Sequence, residues 1–278
     1  MTRDTDAAAK EPVPMEQTMT EVEVLGRRIH EIRGGDGEPL LYLHSAMGEA
    51  MWLPHLQELA QRYELHAPAH PGFLTSQGIE EIHDIEDLVV HYLAYMDGMG
   101  WQSVNLLGLS LGGWIAAEIA ARYPERVKKL VLVGAVGIWI TEKPITDIFA
   151  VDSRFPDRFN RLLFHDPNCP AAQMMPSPAD MNLPEEMLVN IMNAFAATAK
   201  IGWNPLLHNP RLEAMLPRVG APTLVLWGGN DRIVPVDYGR KFARLIPSAR
   251  LEIIPECGHL IPLEKPAEFH EAVTRFLG

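Results

Sequence analysis

From residue 21 to residue 134, short apolar runs alternate with longer stretches whose apolar residues recur every three or four positions. The first spacing marks strands, the second helices with one buried face. Residues 21–32 read as a pair of strands with a turn near Gly26, and residues 40–43 as a short strand ending at His44. Residues 52–62 have helical spacing, with Trp52, His55, Leu56 and Leu59 on one side. Residues 63–67 are strand-like and are closed by Pro68 and Pro71-Gly72. Residues 82–96 are helical through Ile85, Leu88, Val89, Tyr92 and Met96. Residues 104–107 form a strand, 111–122 an alanine-rich helix and 130–133 a further strand. Strands alternating with helices predict an α/β fold: a parallel sheet flanked by helices, with right-handed crossovers.

The alternation stops after Gly134. Eight prolines, from Pro144 through Pro205, interrupt the following segment. Pro184 suits a first helical turn, and Glu185 and Glu186 suit its positive end. Met187, Leu188, Ile191, Met192 and Phe195 form the predicted apolar stripe of that helix. Alternation then resumes, with strands at 223–227 and 251–254 and helices at 236–245 and 266–277. Residues 136–210 therefore read as an insertion into one α/β unit made of residues 20–135 and 211–278. Residues 1–19 read as a polar, flexible tail.

Composition narrows the classes. Of 278 residues, 47% are hydrophobic and 22% charged, the balance of a folded chain rather than a disordered one. The net charge of −12 repels phosphate backbones and argues against a nucleic-acid partner. The most apolar window, residues 104–121, is broken by Asn105, Ser110 and Glu118, so no membrane span is expected. The N-terminal residues lack the apolar stretch of a secretory signal. Two cysteines, Cys169 and Cys257, are too few for a disulfide framework and suit a reducing compartment, so a cytoplasmic location is expected.

The strongest local signal is Gly108-Leu109-Ser110-Leu111-Gly112, followed by Gly113. It comes after a predicted strand and before a predicted helix, the context a strained nucleophile turn requires. A serine hydroxyl needs a base within reach, and the base needs a group that sets its tautomer. Among eleven histidines, His259 in Gly258-His259 lies between the last strand and the last helix. In a parallel sheet that loop shares the carboxyl edge with Ser110. Asp231 follows the strand at 223–227 at the same edge, whereas Asp237 reads as a helix cap. Ser110, Asp231 and His259 are the candidate nucleophile, orienter and base. Two backbone N–H groups should meet the negative charge that acyl transfer places on a carbonyl oxygen. One is that of Leu111. The other is assigned to Ala46, in the loop His44-Ser45-Ala46-Met47-Gly48. His44 is expected to brace that loop beside the substrate, and Trp139, Phe149 and Trp203 of the insertion to line an apolar pocket.

These motifs resemble the α/β-hydrolase superfamily over about residues 20–278. The resemblance rests on Leu43-His44-Ser45 with Trp52 downstream, on Ala67-Pro68 to Pro71-Gly72-Phe73 and on the Ser110 turn. It extends to Gly228-Gly229-Asn230-Asp231 with Val234-Pro235, and to Gly258-His259 with Pro262-Leu263-Glu264-Lys265-Pro266. Ser45 stands where the family usually has glycine. The chain looks most like the capped subset of carboxylesterases, C–C bond hydrolases of ring-cleavage products and cofactor-free haloperoxidases. The resemblance implies an eight-stranded, mostly parallel sheet, a helical cap after the sixth strand, and neither metal nor organic cofactor. A small-molecule substrate and a monomer or homodimer are expected. Ester or lactone hydrolysis through an acyl-enzyme is the leading expectation. C–C bond hydrolysis, haloperoxidase or perhydrolase chemistry, and a non-enzymatic ligand receptor on the same fold are the alternatives.

Overall fold

The computed structural model describes residues 18–150, 156–175 and 184–278, with only the backbone of 156–158. Of the tail expected over residues 1–19, residues 1–17 lie outside the described residues, and Thr18 and Met19 already belong to the first strand. The strands are β1 (Thr18–Val24), β2 (Arg27–Gly34), β3 (Glu38–Leu43), β4 (Tyr63–Pro68), β5 (Val104–Leu109), β6 (Val127–Val133), β7 (Thr223–Gly228) and β8 (Ala249–Ile254). They form one eight-stranded sheet in the order β1-β2-β4-β3-β5-β6-β7-β8. The pairs β1/β2 and β2/β4 are antiparallel and the rest parallel. Every residue of β5 and of β7 is buried, as expected of parallel strands covered on both faces.

The helices are α1 (Pro54–Leu59), α2 (Ile85–Gly98), α3 (Leu111–Arg122), α4 (Pro156–Leu163), α5 (Pro170–Met174), α6 (Glu185–Gly202), α7 (Leu212–Met215), α8 (Val236–Leu245), α9 (Ile261–Glu264) and α10 (Pro266–Leu277). Two start later than their spacing suggests, for local reasons. Proline, with its fixed φ, takes the first turn of α1, so Trp52 precedes the helix. Asp84 caps α2 by accepting from the amides of Glu86 and Asp87, so the helix starts at Ile85. Asp237 sits within the first turn of α8 and makes no side-chain cap bond. Among the described residues no helix is long and apolar enough to cross a membrane.

Between β6 and β7 the chain runs through α4, α5, α6 and α7. The apolar stripe expected on α6 is not its buried face: Met187 is 41% and Met192 70% exposed. The buried residues are Ala194, Ala197, Thr198, Ile201 and Gly202, because the C-terminal half of the helix makes the packing contacts. Small side chains let the backbones approach there, and a Cβ on Gly72 would lie 3.1 Å from that of Ala197. The Lys200 ammonium donates to the carbonyls of Ile79 (2.6 Å) and Glu80 (3.0 Å).

The strand order positions the site. β4 lies on one side of β3 and β5 on the other, so the connections from β3 and from β5 diverge. A crevice opens outside the carboxyl ends of strands where the order reverses in this way. The loop after β3 and the turn after β5 face each other across it.

Candidate active site

Ser110 occupies the single residue between β5 and α3. Its φ of 52° and ψ of −108° lie in a region that side chains other than glycine rarely adopt. The turn is held from several sides. The Ser110 amide donates to Val133 O at 2.8 Å, and its carbonyl accepts from Trp114 N at 3.0 Å and Val136 N at 3.3 Å. The glycines around it are required by close approach rather than by conformation. A Cβ on Gly108 would lie 2.2 Å from Gly112 O, and one on Gly112 would lie 2.0 Å from Leu43 O. The amide of Gly112 donates to His44 O at 3.1 Å, tying the turn to the loop after β3.

His259 follows β8 and is 3% exposed. Its Nδ1 lies 2.7 Å from Oδ2 of Asp231, and Oδ1 of the same carboxylate accepts from the amides of Ile233 (2.9 Å) and Val234 (2.8 Å). Both oxygens are therefore committed, which fixes the carboxylate plane. A carboxylate facing Nδ1 places the proton on that nitrogen and leaves Nε2 as the acceptor. Ser110, Leu111, Ala46 and His259 line one small cavity. Among the described residues the amides of Ala46 and Leu111 have no protein acceptor. The structure thus brings together all five residues singled out for chemistry.

The four predicted pocket residues lie elsewhere. His44 is fully buried behind the loop: its Nδ1 donates to Ser45 O at 2.7 Å, and its Nε2 accepts from the amide of His70 at 2.8 Å. Burial holds its pKa down to about 4. With both nitrogens committed it braces the loop, as expected, but has no lone pair for a substrate. Trp139 stacks on His208 at 5.1 Å, and Phe149 packs at a tilt of 45° against Trp203 at 5.2 Å, with Trp203 61% exposed. These rings pack on one another. The apolar wall of the cavity instead includes Met47, Ile148, Phe159, Leu163, Leu207 and Ile233. Phe159 and Leu163 are one turn apart on α4, a spacing visible in the sequence. Ile148, Leu207 and Ile233 carry no comparable local signal. The cavity holds about 30 Å³, room for roughly two waters. A larger hollow of about 700 Å³ lies between Arg27, Glu81 and Lys200 and contains neither Ser110 nor His259.

Glu264 was legible only as part of a motif. Its carboxylate accepts from Gly258 N (2.7 Å), His165 N (3.1 Å) and Asp166 N (2.9 Å). The amides of His259 and Leu260 both donate to Leu163 O. The histidine loop and the segment after α4 are thereby clamped together. Cys257 is fully buried, and burial pushes its thiol pKa well up, so it offers no thiolate nucleophile. Among the described residues no cluster of side chains could hold a metal ion.

Comparison with known proteins gives the arrangement relatives. A family described as alpha/beta hydrolase fold matches residues 38–266. A 2-hydroxy-6-oxo-6-phenylhexa-2,4-dienoate hydrolase of Burkholderia cepacia is 29% identical over 94% of each chain. The solved structure of the hydrolase of that name from Rhodococcus sp. strain RHA1 superposes with a TM-score of 0.76 at 23% identity, covering 95% of this chain and 99% of that one. A carboxylesterase of Bacillus subtilis superposes with a TM-score of 0.74 at 21% identity, covering 95% and 92%. At such identities the two superpositions speak for the fold.

Proposed function

The chain belongs to the alpha/beta hydrolase family, and from that premise we propose that it is a serine hydrolase of small, neutral, mainly apolar carboxylic esters or lactones. The observation that carries this reading is the 2.7 Å bond between His259 Nδ1 and Asp231 Oδ2, with His259 lining a cavity beside Ser110 and the amides of Ala46 and Leu111, which have no acceptor among the described residues. Ser110 Oγ attacks the ester carbonyl while His259 Nε2 takes its proton. The carbonyl oxygen becomes an oxyanion and is met by the amides of Ala46 and Leu111. The C–O bond to the alcohol breaks, and His259 returns the proton to the departing oxygen. Water, deprotonated by His259, then attacks the acyl-enzyme and releases the acid and free Ser110. Asp231 holds the imidazole and stabilises its charged form in both steps.

A second reading, hydrolysis of a C–C bond in a ring-cleavage product, is favoured by the name of the Burkholderia relative. A dienoate carries a carboxylate. Among the described residues no lysine or arginine lines the cavity, and an unpaired anion in such surroundings costs several kcal/mol. Neutral esters meet no such penalty, which supports the ester reading.

The deciding experiment is steady-state hydrolysis of p-nitrophenyl esters of increasing acyl length beside 2-hydroxy-6-oxo-6-phenylhexa-2,4-dienoate, with Ser110→Ala as control. Turnover of short esters that outpaces the dienoate and vanishes in Ser110→Ala supports the proposal. Faster cleavage of the dienoate transfers it to C–C hydrolysis, and near-normal activity in folded Ser110→Ala protein removes Ser110 from the mechanism.

A further inference from the structure

The side chain of Ser45, in the loop after β3, has a buried partner. Its hydroxyl donates to the carboxylate of Glu49, 2.6 Å from Oε1 and 2.8 Å from Oε2, and accepts from Met47 N at 3.0 Å. The Ser45 amide donates to Glu49 Oε2 at 3.0 Å. Its carbonyl accepts from Gly48 N at 3.1 Å and from His44 Nδ1 at 2.7 Å. Of the four consecutive amides from Ser45 to Gly48, three are therefore taken within the loop. The fourth, that of Ala46, is left free beside Leu111 and Ser110.

A loop of this length could present any of several amides to the cavity, and the bonding pattern selects one. Glu49 is 8% exposed and Ser45 2%, so these bonds form away from bulk water, where they are stronger and costly to leave unmade. Among the described residues no lysine or arginine pairs with Glu49. Its hydrogen bonds go to Ser45 and to its own backbone amide, and burial holds its pKa above the usual carboxylate range. A buried carboxylate that makes no ion pair among the described residues and keeps its bonds within one loop is a device for shaping that loop.

We propose that Glu49, acting through Ser45, is a positioning residue that turns the Ala46 amide toward the substrate carbonyl oxygen. It touches no substrate itself. The proposal rests on the serine-hydrolase reading above and adds a residue to it. A donor that meets the oxyanion but not the ground-state carbonyl acts on kcat and leaves KM nearly unchanged.

The test compares wild type with Ser45→Ala, Glu49→Gln, Glu49→Ala and the double variant Ser45→Ala/Glu49→Ala. It uses a short p-nitrophenyl ester and a trifluoromethyl ketone that places an oxyanion on the serine adduct. Removing one oxyanion donor outright lowers kcat about 10²- to 10³-fold, and loosening it should cost roughly 10- to 100-fold. Ser45→Ala and Glu49→Ala should each show that loss with KM within about threefold, and ketone affinity should fall in step with kcat/KM. Glu49→Gln should retain most activity, since its amide oxygen still accepts from Ser45. The double variant should be no worse than the worse single one, because both remove the same clasp. Should Glu49→Ala fail to fold, Ser45→Ala and Glu49→Gln carry the test. An unchanged kcat in folded Ser45→Ala, or losses that multiply in the double variant, overturns the proposal. Absence of wild-type esterase activity together with absence of ketone binding is the distinct outcome in which the underlying reading itself fails.

Discussion

Asp231 shows what single residues contribute. One oxygen faces His259 Nδ1, and the other accepts two backbone amides. Asparagine in its place can still accept from Ile233 and Val234 through its amide oxygen, but presents N–H donors to the imidazole. The ring then takes the wrong tautomer, with its proton on the nitrogen that should accept from Ser110. Asp231→Asn is therefore expected to keep its folding midpoint and lose roughly 10⁴-fold in kcat, the usual effect of that change in such a triad. Thermal unfolding beside steady-state rates checks both halves, and a loss under tenfold would mean another acid orients His259. Ser110, Asp231 and His259 were legible because each follows a predicted strand, and parallel strands deliver such residues to one edge. Trp139, Phe149 and Trp203 misled because aromatic character marks burial of some kind without saying against what, and here the rings found each other and His208.

Elements are joined by a few shared acceptors. Glu264 of α9 binds Gly258 on the histidine loop and His165 and Asp166 after α4. Amide bonds to a charged acceptor are worth about 1.5–3 kcal/mol each, with solvent exposure reducing the sum. Glu264→Ala is expected to lower stability by about 2–4 kcal/mol and to raise proteolytic cleavage between residues 136 and 210. Limited proteolysis beside urea unfolding measures both. Unchanged cleavage with lowered stability would mean the carboxylate supports the histidine loop alone. Helix boundaries were close to legible wherever a cap or a proline marked them. The face of α6 was not, because its methionines and leucine satisfy helical spacing while the packing surface selected alanines that permit close approach.

At the scale of the whole molecule, burial governs the response to acid. The ordinary imidazole value of 6.5 is held down by burial to about 4 at His44 and to about 3 at His55 and His91. As pH falls, the unfolded chain takes up these protons before the folded one does. The stability they govern is complete above pH 6.5 and is lost progressively as pH falls toward 4 and 3. His70 is likewise held well below its ordinary value by burial, so Glu49, raised above its own, acts in the opposite sense as one group against four. A tenfold difference in proton affinity between the folded and unfolded chain corresponds to about 1.4 kcal/mol, so stability should fall by several kcal/mol between pH 7 and pH 4. Urea titrations at stepped pH measure this, and His55→Leu or His91→Leu should flatten the profile. A profile equally steep in both variants would place the acid sensitivity in other groups.

Residue order alone specifies the α/β alternation, its interruption after β6 and the order of the three candidate catalytic residues. These depend on spacing and on local turn chemistry, which act within a few residues of each other. Tertiary structure alone decided which side chains wall the cavity, which face of α6 is buried and which amide of the loop after β3 stays free. Those outcomes depend on contacts between residues far apart in the chain, such as Leu163 with His259. They also depend on whether a buried polar group finds its partner near at hand, as Glu49 does in Ser45, or across the fold, as His44 does in His70.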